Sequence, residues 1–128
     1  MKSDIVSDAL NAMMNAKRTE KAELRINRIS KFLVNILQMM KEQKYIDYEV
    51  KDENESKPYV IVKLLKLNVC RAIKPRYSVT TERVEKYLRR YLPSRNFGTV
   101  IVSTNKGLMT HEEAEKNNTG GSLIAYFY

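Results

Sequence analysis

Residues 98–128, GTVIVSTNKGLMTHEEAEKNNTGGSLIAYFY, decide the fold of the C-terminal part of this chain. Residues 100–102 form a β-branched apolar run that favours a strand, and the small polar segment 103–107 interrupts it. Thr110 stands three residues before Glu113, which is the spacing of a capping box at the start of a helix. The final residues alternate again between polar and apolar. We therefore expect a strand, a loop, a short helix, a second loop and a final strand.

The two predicted loops are rich in small residues that carry hydrogen-bond donors. They contain Ser103, Thr104, Asn105, Lys106 and Gly107 in the first loop, and Gly120 and Gly121 in the second. Such loops can approach a sugar-phosphate backbone closely, because no bulky side chain intervenes and many donors are exposed. We interpret them as a nucleic-acid contact surface that the rest of the chain positions.

The distribution of charge also indicates an anionic partner. The chain of 128 residues has a formal net charge of +8 and a pI near 9.6. Residues 70–106 carry nine Lys or Arg and two Asp or Glu. They include Arg76, which we expect to contact phosphate, and a helix face with Arg83, Lys86, Arg89 and Arg90. That face fits a solvated helix surface and a phosphate-facing patch equally well.

Several classes of protein are excluded. The chain has no apolar run near the roughly 20 residues of a membrane-spanning helix, and residues 1–10 carry two acids where a signal peptide is uncharged. Cys70 and His111 are the only cysteine and histidine, so we expect no disulfide framework, no metal site and a reducing intracellular setting. The loop 103–107 lacks the spacing of a nucleotide-binding P-loop. No Ser, Asp or metal-ligand residue stands at a catalytic spacing from His111, so we expect this histidine to lie at the surface or to cap a helix.

The remaining chain predicts an α+β architecture in two small lobes. In the N-terminal lobe we expect a helix over 4–16, a strand over 22–26, a helix from Ser30 to about Gln43, and strands over 45–51 and 58–67 joined by the acidic loop 52–57. In the C-terminal lobe we expect a link over 68–73, a strand over 76–79, a helix from Thr80 or Thr81 to before Pro93, and the elements above. The lobes are residues 1–67, with the order α-β-α-β-β, and residues 68–128, with a mixed β-sheet and one longer and one short helix.

The segment from Gly98 to Ala114 resembles the signature of the small-subunit ribosomal protein S-eight family. That signature reads glycine, two residues, two aliphatics, a hydroxyl or tyrosine, threonine, two residues, glycine, two aliphatics, four residues, and alanine or glycine. Every position is met, whereas Glu115 departs from the basic or apolar residue that usually follows. Four segments resemble the archaeal and eukaryotic branch, namely Asn68-Val69-Cys70, Ile73 to Tyr77, Tyr91-Leu92-Pro93 with Phe97-Gly98, and the Tyr126-Phe127-Tyr128 ending.

The resemblance implies a structural constituent of the small ribosomal subunit and no enzyme, cofactor or small-molecule substrate. It implies a primary ribosomal-RNA-binding protein of the cytoplasmic ribosome, which binds the central domain of the small-subunit RNA and promotes assembly of the platform beside neighbouring ribosomal proteins. It assigns RNA binding to the lobe 68–128. The alternative is an RNA-binding translational regulator that acts outside the ribosome.

The same resemblance implies which residues contact RNA. The loops 103–107 and 120–121 match those that face the minor-groove side of an irregular RNA helix. Asn15 and Lys31 match polar positions of the N-terminal lobe near RNA, although their places at helix ends fit simple solvation as well. Asn105 stands where the family often has serine, and Ser122 stands where bacterial members have an acid.

Overall fold

A computed structural model describes residues 5–51, 58–73, 78–94 and 97–128 of the chain. The described residues form four helices and eight strands. In chain order these are α1 (Ile5–Arg18), β1 (Glu23–Ile26), α2 (Lys31–Glu42), β2 (Ile46–Lys51), β3 (Tyr59–Leu64), β4 (Cys70–Ala72), β5 (Ser78–Val79), α3 (Thr81–Tyr91), β6 (Thr99–Thr104), β7 (Gly107–Thr110), α4 (His111–Lys116) and β8 (Gly121–Phe127). The chain divides into two compact units, Met1–Cys70 and Arg71–Tyr128.

In the first unit, two amphipathic helices accompany an antiparallel sheet with the strand order β1-β3-β2. The apolar stripes predicted from the sequence are buried. Buried core side chains include Leu10 and Met13 of α1, Leu33, Ile36, Leu37 and Met40 of α2, and Val60 and Val62 of β3. Cys70 is buried, and its thiol donates to the carbonyl of Leu10 at 3.5 Å. The spacing of apolar residues in the two helices thus predicts their core-facing sides correctly.

In the second unit, the sheet has the strand order β4-β8-β6-β7, and the short strand β5 also pairs with β8. β8 bulges where it passes Ile101 and Val102 of β6. Helix α3 contributes Val84 and Leu88 to a core cluster that also contains Leu123. The cluster with Val100, Val102 and Leu123 lies on one face of the sheet, and the other face also contains buried residues, including Ile101 and Ala125.

The predicted α+β class is confirmed, and the structure has two sheets, with differences in detail from the prediction. The segment 103–107 is not an extended loop, because β6 continues to Thr104 and β7 begins at Gly107. Met109 pairs with Val102 and is buried. Residues 107–110, for which the sequence predicted no strand, therefore belong to the sheet as β7. The link 68–73 contains β4. The pairings among β5, β6, β7 and β8 are all antiparallel, so the predicted mixed character is not seen in those four strands.

Two sequence-based expectations concern residues outside the described ranges. They are the acidic loop 52–57 and the segment 74–77, which includes the predicted phosphate contact Arg76. Along the chain, the boundary between the two units falls between Cys70 and Arg71. The sequence predicts the lobe boundary between Leu67 and Asn68. The assignment of RNA binding to the second lobe stays a prediction.

Candidate nucleic-acid interface

A two-residue turn joins β6 to β7 and forms a hairpin tip. Thr104 pairs with Gly107 across this turn, and Ser103 pairs with Leu108. The Oγ1 of Thr104 donates to the Gly107 carbonyl at 2.9 Å and accepts from the Lys106 amide at 3.1 Å. The Thr104 hydroxyl, which the sequence assigned to RNA contact, is therefore engaged within the turn and stabilises its shape.

The handedness of the turn is set at Gly107, whose φ of 113° is rarely adopted by residues with a Cβ. Neither Asn105 nor Lys106 has a positive φ. The hairpin therefore lacks a primed two-residue turn, and glycine supplies the left-handed residue that closes it. A Cβ on Gly107 would meet no atom within 4 Å. Glycine is required here by backbone conformation and not by lack of space.

Three polar side chains remain available at the hairpin tip. Asn105 and Lys106 are exposed, and Ser103 is half-buried. Within the part of the chain that the structure describes, none of these three side chains has a hydrogen-bond or ion-pair partner. A hydroxyl, an amide and an ammonium thus stand together, which suits contact with sugar hydroxyls, base edges and phosphates.

Gly120 and Gly121 lead β8 into the space between β5 and β6. A Cβ on Gly120 would lie 2.5 Å from the carbonyl oxygen of Val79, and a Cβ on Gly121 would collide with the carbonyl oxygen of Ser103. The close backbone approach therefore gives both glycines a packing role of their own. It also places the start of β8 directly beside Ser103.

A row of serines crosses the sheet next to the hairpin tip. Ser122 of β8 pairs with Ser78 of β5 on one side and with Ser103 of β6 on the other. The hydroxyl oxygens of Ser78 and Ser122 are 3.4 Å apart. Since directly opposed residues share a face of a sheet, the three hydroxyls line one face, and we call Ser78, Ser122 and Ser103 the serine row.

The serine row lies on the face of the sheet opposite to the hydrophobic core. Val79, Val102 and Leu123 are each next in sequence to one of the serines and belong to the core cluster. Sequence reasoning missed Ser78 and noted Ser122 only as a departure from the family pattern. Neither the apolar run 100–102 in β6 nor the apolar run 123–125 in β8 indicates this arrangement, because only the register of three strands brings the serines together.

Helix α4 begins as the sequence predicts. Thr110 is its N-cap, and the Oγ1 of Thr110 accepts from the Glu113 amide at 3.1 Å. The Glu113 carboxylate lies 3.4 Å from the same hydroxyl. The capping interaction satisfies an amide that a six-residue helix would otherwise leave unpaired.

The expectation of a surface or capping role for His111 is wrong, because its side chain is buried with 4% exposure. The Nδ1 of His111 accepts from the Val100 amide at 3.1 Å, and so the neutral ring carries its proton on Nε2. Burial lowers the pKa of His111, and the nearby Glu112 and Glu115 oppose this effect only in part. His111 thus fastens α4 to β6.

The other sequence-predicted contacts lie in the first unit. Asn15 is exposed in the last turn of α1 and lines an open groove of about 560 Å³ together with Lys21 and Arg25. Lys31 is exposed at the first position of α2, directly after the capping Ser30. The structure therefore places residues 103–107 at one hairpin with Gly120 and Gly121 beside it, and it places Asn15 and Lys31 on separate helices.

Comparison with known proteins identifies the family. A family model described as Ribosomal protein S8 matches residues 4–128. The chain belongs to this family. It is 40% identical over 129 residues to the small ribosomal subunit protein uS8 of Thermoplasma acidophilum, and the match covers both chains completely. It is 39% identical to the same protein of Thermoplasma volcanium, again over both full lengths. It is 36% identical to that of Methanococcoides burtonii, over 98% of this chain and 97% of the relative.

Family membership confirms the resemblance noted in the sequence, including its archaeal and eukaryotic type. The family consists of structural proteins of the small ribosomal subunit, which confirms that the chain is not an enzyme. Among the described residues there is no cluster of three or more His, Cys, Asp or Glu side chains able to hold a metal ion. None of the helices in the described ranges is long and apolar enough to cross a membrane.

Proposed function

We propose that this chain is a primary ribosomal-RNA-binding protein of the cytoplasmic small ribosomal subunit. It binds the central domain of the small-subunit RNA and promotes assembly of the platform, beside neighbouring ribosomal proteins. Its main RNA-binding surface is the lobe 68–128, and Asn15 and Lys31 add contacts from the first lobe. Membership of a small-subunit ribosomal family supports the setting.

One observation carries this proposal, namely the hairpin tip that stands beside the serine row. Ser103 belongs to both features, and Asn105 and Lys106 extend from it without partners among the described residues. A-form RNA has a wide, shallow minor groove lined by 2′-hydroxyls. Hydroxyl and amide side chains both donate and accept, so they suit the 2′-hydroxyl, which does the same.

The hairpin tip separates neutral contacts from a charged one. Ser103 and Asn105 offer hydrogen bonds that release no counterion, whereas Lys106 offers a charge that replaces a counterion at a phosphate. Specificity therefore comes from the neutral groups and from RNA shape. Affinity comes mainly from cations.

A salt series tests this division of labour. The full chain and the variants Ser103→Ala, Asn105→Ala and Lys106→Gln are titrated onto a central-domain RNA fragment by filter binding. Loss of one neutral hydrogen bond, about 0.5–1.5 kcal/mol, weakens binding by roughly 2- to 12-fold with an unchanged salt slope. Lys106→Gln also flattens the slope of log K against log salt by about 0.7–0.9.

Lys63→Gln is the matched control, because it removes the same charge from an exposed position of β3 in the first unit. It should leave the slope close to that of the unchanged chain. Equal slopes for all variants would refute the division of labour. No specific binding of the unchanged chain to the central-domain fragment would refute the proposed function itself.

A further inference from the structure

Helix α3 presents a second, separate concentration of positive charge. Arg83, Lys86, Arg89 and Arg90 are all exposed, and we call them the α3 basic face. Arg83, Lys86 and Arg90 follow a spacing of three and four residues, which places them along one line of the helix. At 1.5 Å per residue this line is about 10 Å long.

The α3 basic face lies on a helix that carries four Lys or Arg against two Glu, Glu82 and Glu85. Among the described side chains, none of its four residues has an ion-pair partner. The guanidinium of Arg90 lies 5.4 Å from the centre of the Tyr87 ring, and that contact brings no negative charge. Like charges three and four residues apart weaken a helix, and Glu82 stands four residues before Lys86, where an opposite charge offsets part of this cost.

The α3 basic face and the serine row lie on opposite sides of the second unit. Val84 and Leu88 of α3 pack in the core with Val102 and Leu123 of the sheet. The serine row lies on the other face of that sheet. The sheet and the thickness of α3, about 10–12 Å with side chains, therefore separate the two surfaces. The two surfaces therefore face different directions within the second unit.

We propose that the α3 basic face binds the backbone phosphates of a second segment of small-subunit RNA, distinct from the segment at the serine row. This inference rests on the proposed function and deepens it, since the second unit would then bridge two RNA segments. An RNA occupant is favoured over an acidic protein because the centre of a protein interface is mostly apolar, whereas all four named side chains of the α3 basic face are cationic. The α3 basic face has charge at its centre and offers Arg forks that suit phosphate.

The test compares two triple variants of the full chain with equal loss of charge. The first is Arg83→Gln with Lys86→Gln and Arg90→Gln, which removes the line of charge on α3. The control is Lys41→Gln with Lys51→Gln and Lys63→Gln, all in the first unit. Both are examined by hydroxyl-radical footprinting and salt-dependent binding on complete small-subunit RNA, and by binding to the short central-domain fragment. Circular dichroism verifies that each variant is folded.

We expect the α3 variant to bind the short fragment as the control does, within about threefold. On complete RNA it should lose a set of backbone protections that Ser103→Ala keeps, and its salt slope should fall by about two to three for three phosphate contacts. Protections and slope equal to those of the control would overturn the inference while leaving the proposed function intact.

Two other outcomes would also overturn it. If the α3 variant keeps every RNA protection but fails to enter reconstituted subunits once other ribosomal proteins are present, the face binds an acidic protein. If the unchanged chain protects neither RNA, the proposed function fails first and the inference fails with it. If Ser103→Ala and Asn105→Ala weaken fragment binding while the α3 variant does not, the proposed function holds, and the result on complete RNA then decides the inference by itself.

Discussion

His111 should make the stability of this protein depend on pH near neutrality. Its Nδ1 accepts the Val100 amide at 3.1 Å in a buried site. Protonation would place an N–H on Nδ1, opposite another N–H, and would put a charge in the core. Burial lowers the pKa of His111 in the folded state below the value of about 6.5 expected in the unfolded chain.

The sign of the effect follows from that difference. At pH values between the two pKa values, the unfolded chain binds the proton and the folded chain does not, so acid favours unfolding. The contribution of His111 to the free energy of unfolding is complete above the unfolded pKa and declines as pH falls towards the folded one. Because His111 is the only histidine of the chain, no other imidazole titrates in this range.

The size of the His111 contribution follows from the hydrogen bond. His111→Ala leaves the Val100 amide without its acceptor in a residue that is 0% exposed, and an unsatisfied buried donor costs about 1–3 kcal/mol. For a chain of this length that is roughly 3–15 °C in Tm at about 3–5 °C per kcal/mol. His111→Asn should lose less, because its side-chain oxygen can accept near the Nδ1 position without titrating.

Thermal unfolding followed by circular dichroism between about pH 8 and pH 5 measures both effects. We expect Tm of the unchanged chain to fall with pH over this range, and Tm of His111→Asn to change less. If His111→Asn shows the same decline as the unchanged chain, other groups cause the pH dependence and the role assigned to His111 is wrong.

Two further predictions concern the hairpin and its neighbour strand. Gly121→Ala should destabilise the fold by about 1–3 kcal/mol, because the added Cβ would collide with the Ser103 carbonyl. Gly107→Ala is the control, since its Cβ would lie in open space and its cost of about 1–3 kcal/mol comes from φ alone. Unlike Gly121→Ala, it should leave the amides of β8 protected from hydrogen exchange. Thr104→Val should speed hydrogen exchange at the Lys106 amide by removing its acceptor, and an unchanged exchange rate would show that the turn does not depend on this hydroxyl.

Local patterns in the sequence predicted the helices, although the expected capping at the start of α3 is not seen, because the Thr80 side chain makes no capping hydrogen bond. Ser30 caps α2 and Thr110 caps α4, as their spacing predicts, because capping depends on residues only three positions apart. The apolar stripe of α2 is buried as predicted, since a helix places such residues on one side wherever it lies in the chain.

The remaining features depend on contacts between distant residues. β7 was missed because Leu108 and Met109 form too short a run to indicate a strand without the partner β6. His111 was misplaced because its burial follows from the Val100 amide eleven residues earlier, which no local pattern reports. The serine row requires Ser78 and Ser122, 44 residues apart, to meet in one register.

The family signature itself divides into positions that build the hairpin and positions that it presents. Gly98 has a φ of 101° beside the Phe127 carbonyl, Ala114 is fully buried, and Gly107 closes the turn. The invariant threonine of the pattern, Thr104, is engaged in the same turn. Most of these signature positions thus stabilise the hairpin and the strands beside it.

The two unspecified positions between the threonine and the glycine of the signature are Asn105 and Lys106, and both are exposed at the tip. Substitutions there change the presented amide and charge without touching the contacts that shape the turn, since only the Lys106 backbone amide takes part in it. If the proposed function is correct, these two positions adjust the RNA contact while Thr104 and Gly107 keep the hairpin constant. Substitution of Asn105 or Lys106 should therefore alter RNA affinity and its salt dependence without changing Tm. Substitution of Thr104 or Gly107 should lower both RNA affinity and Tm.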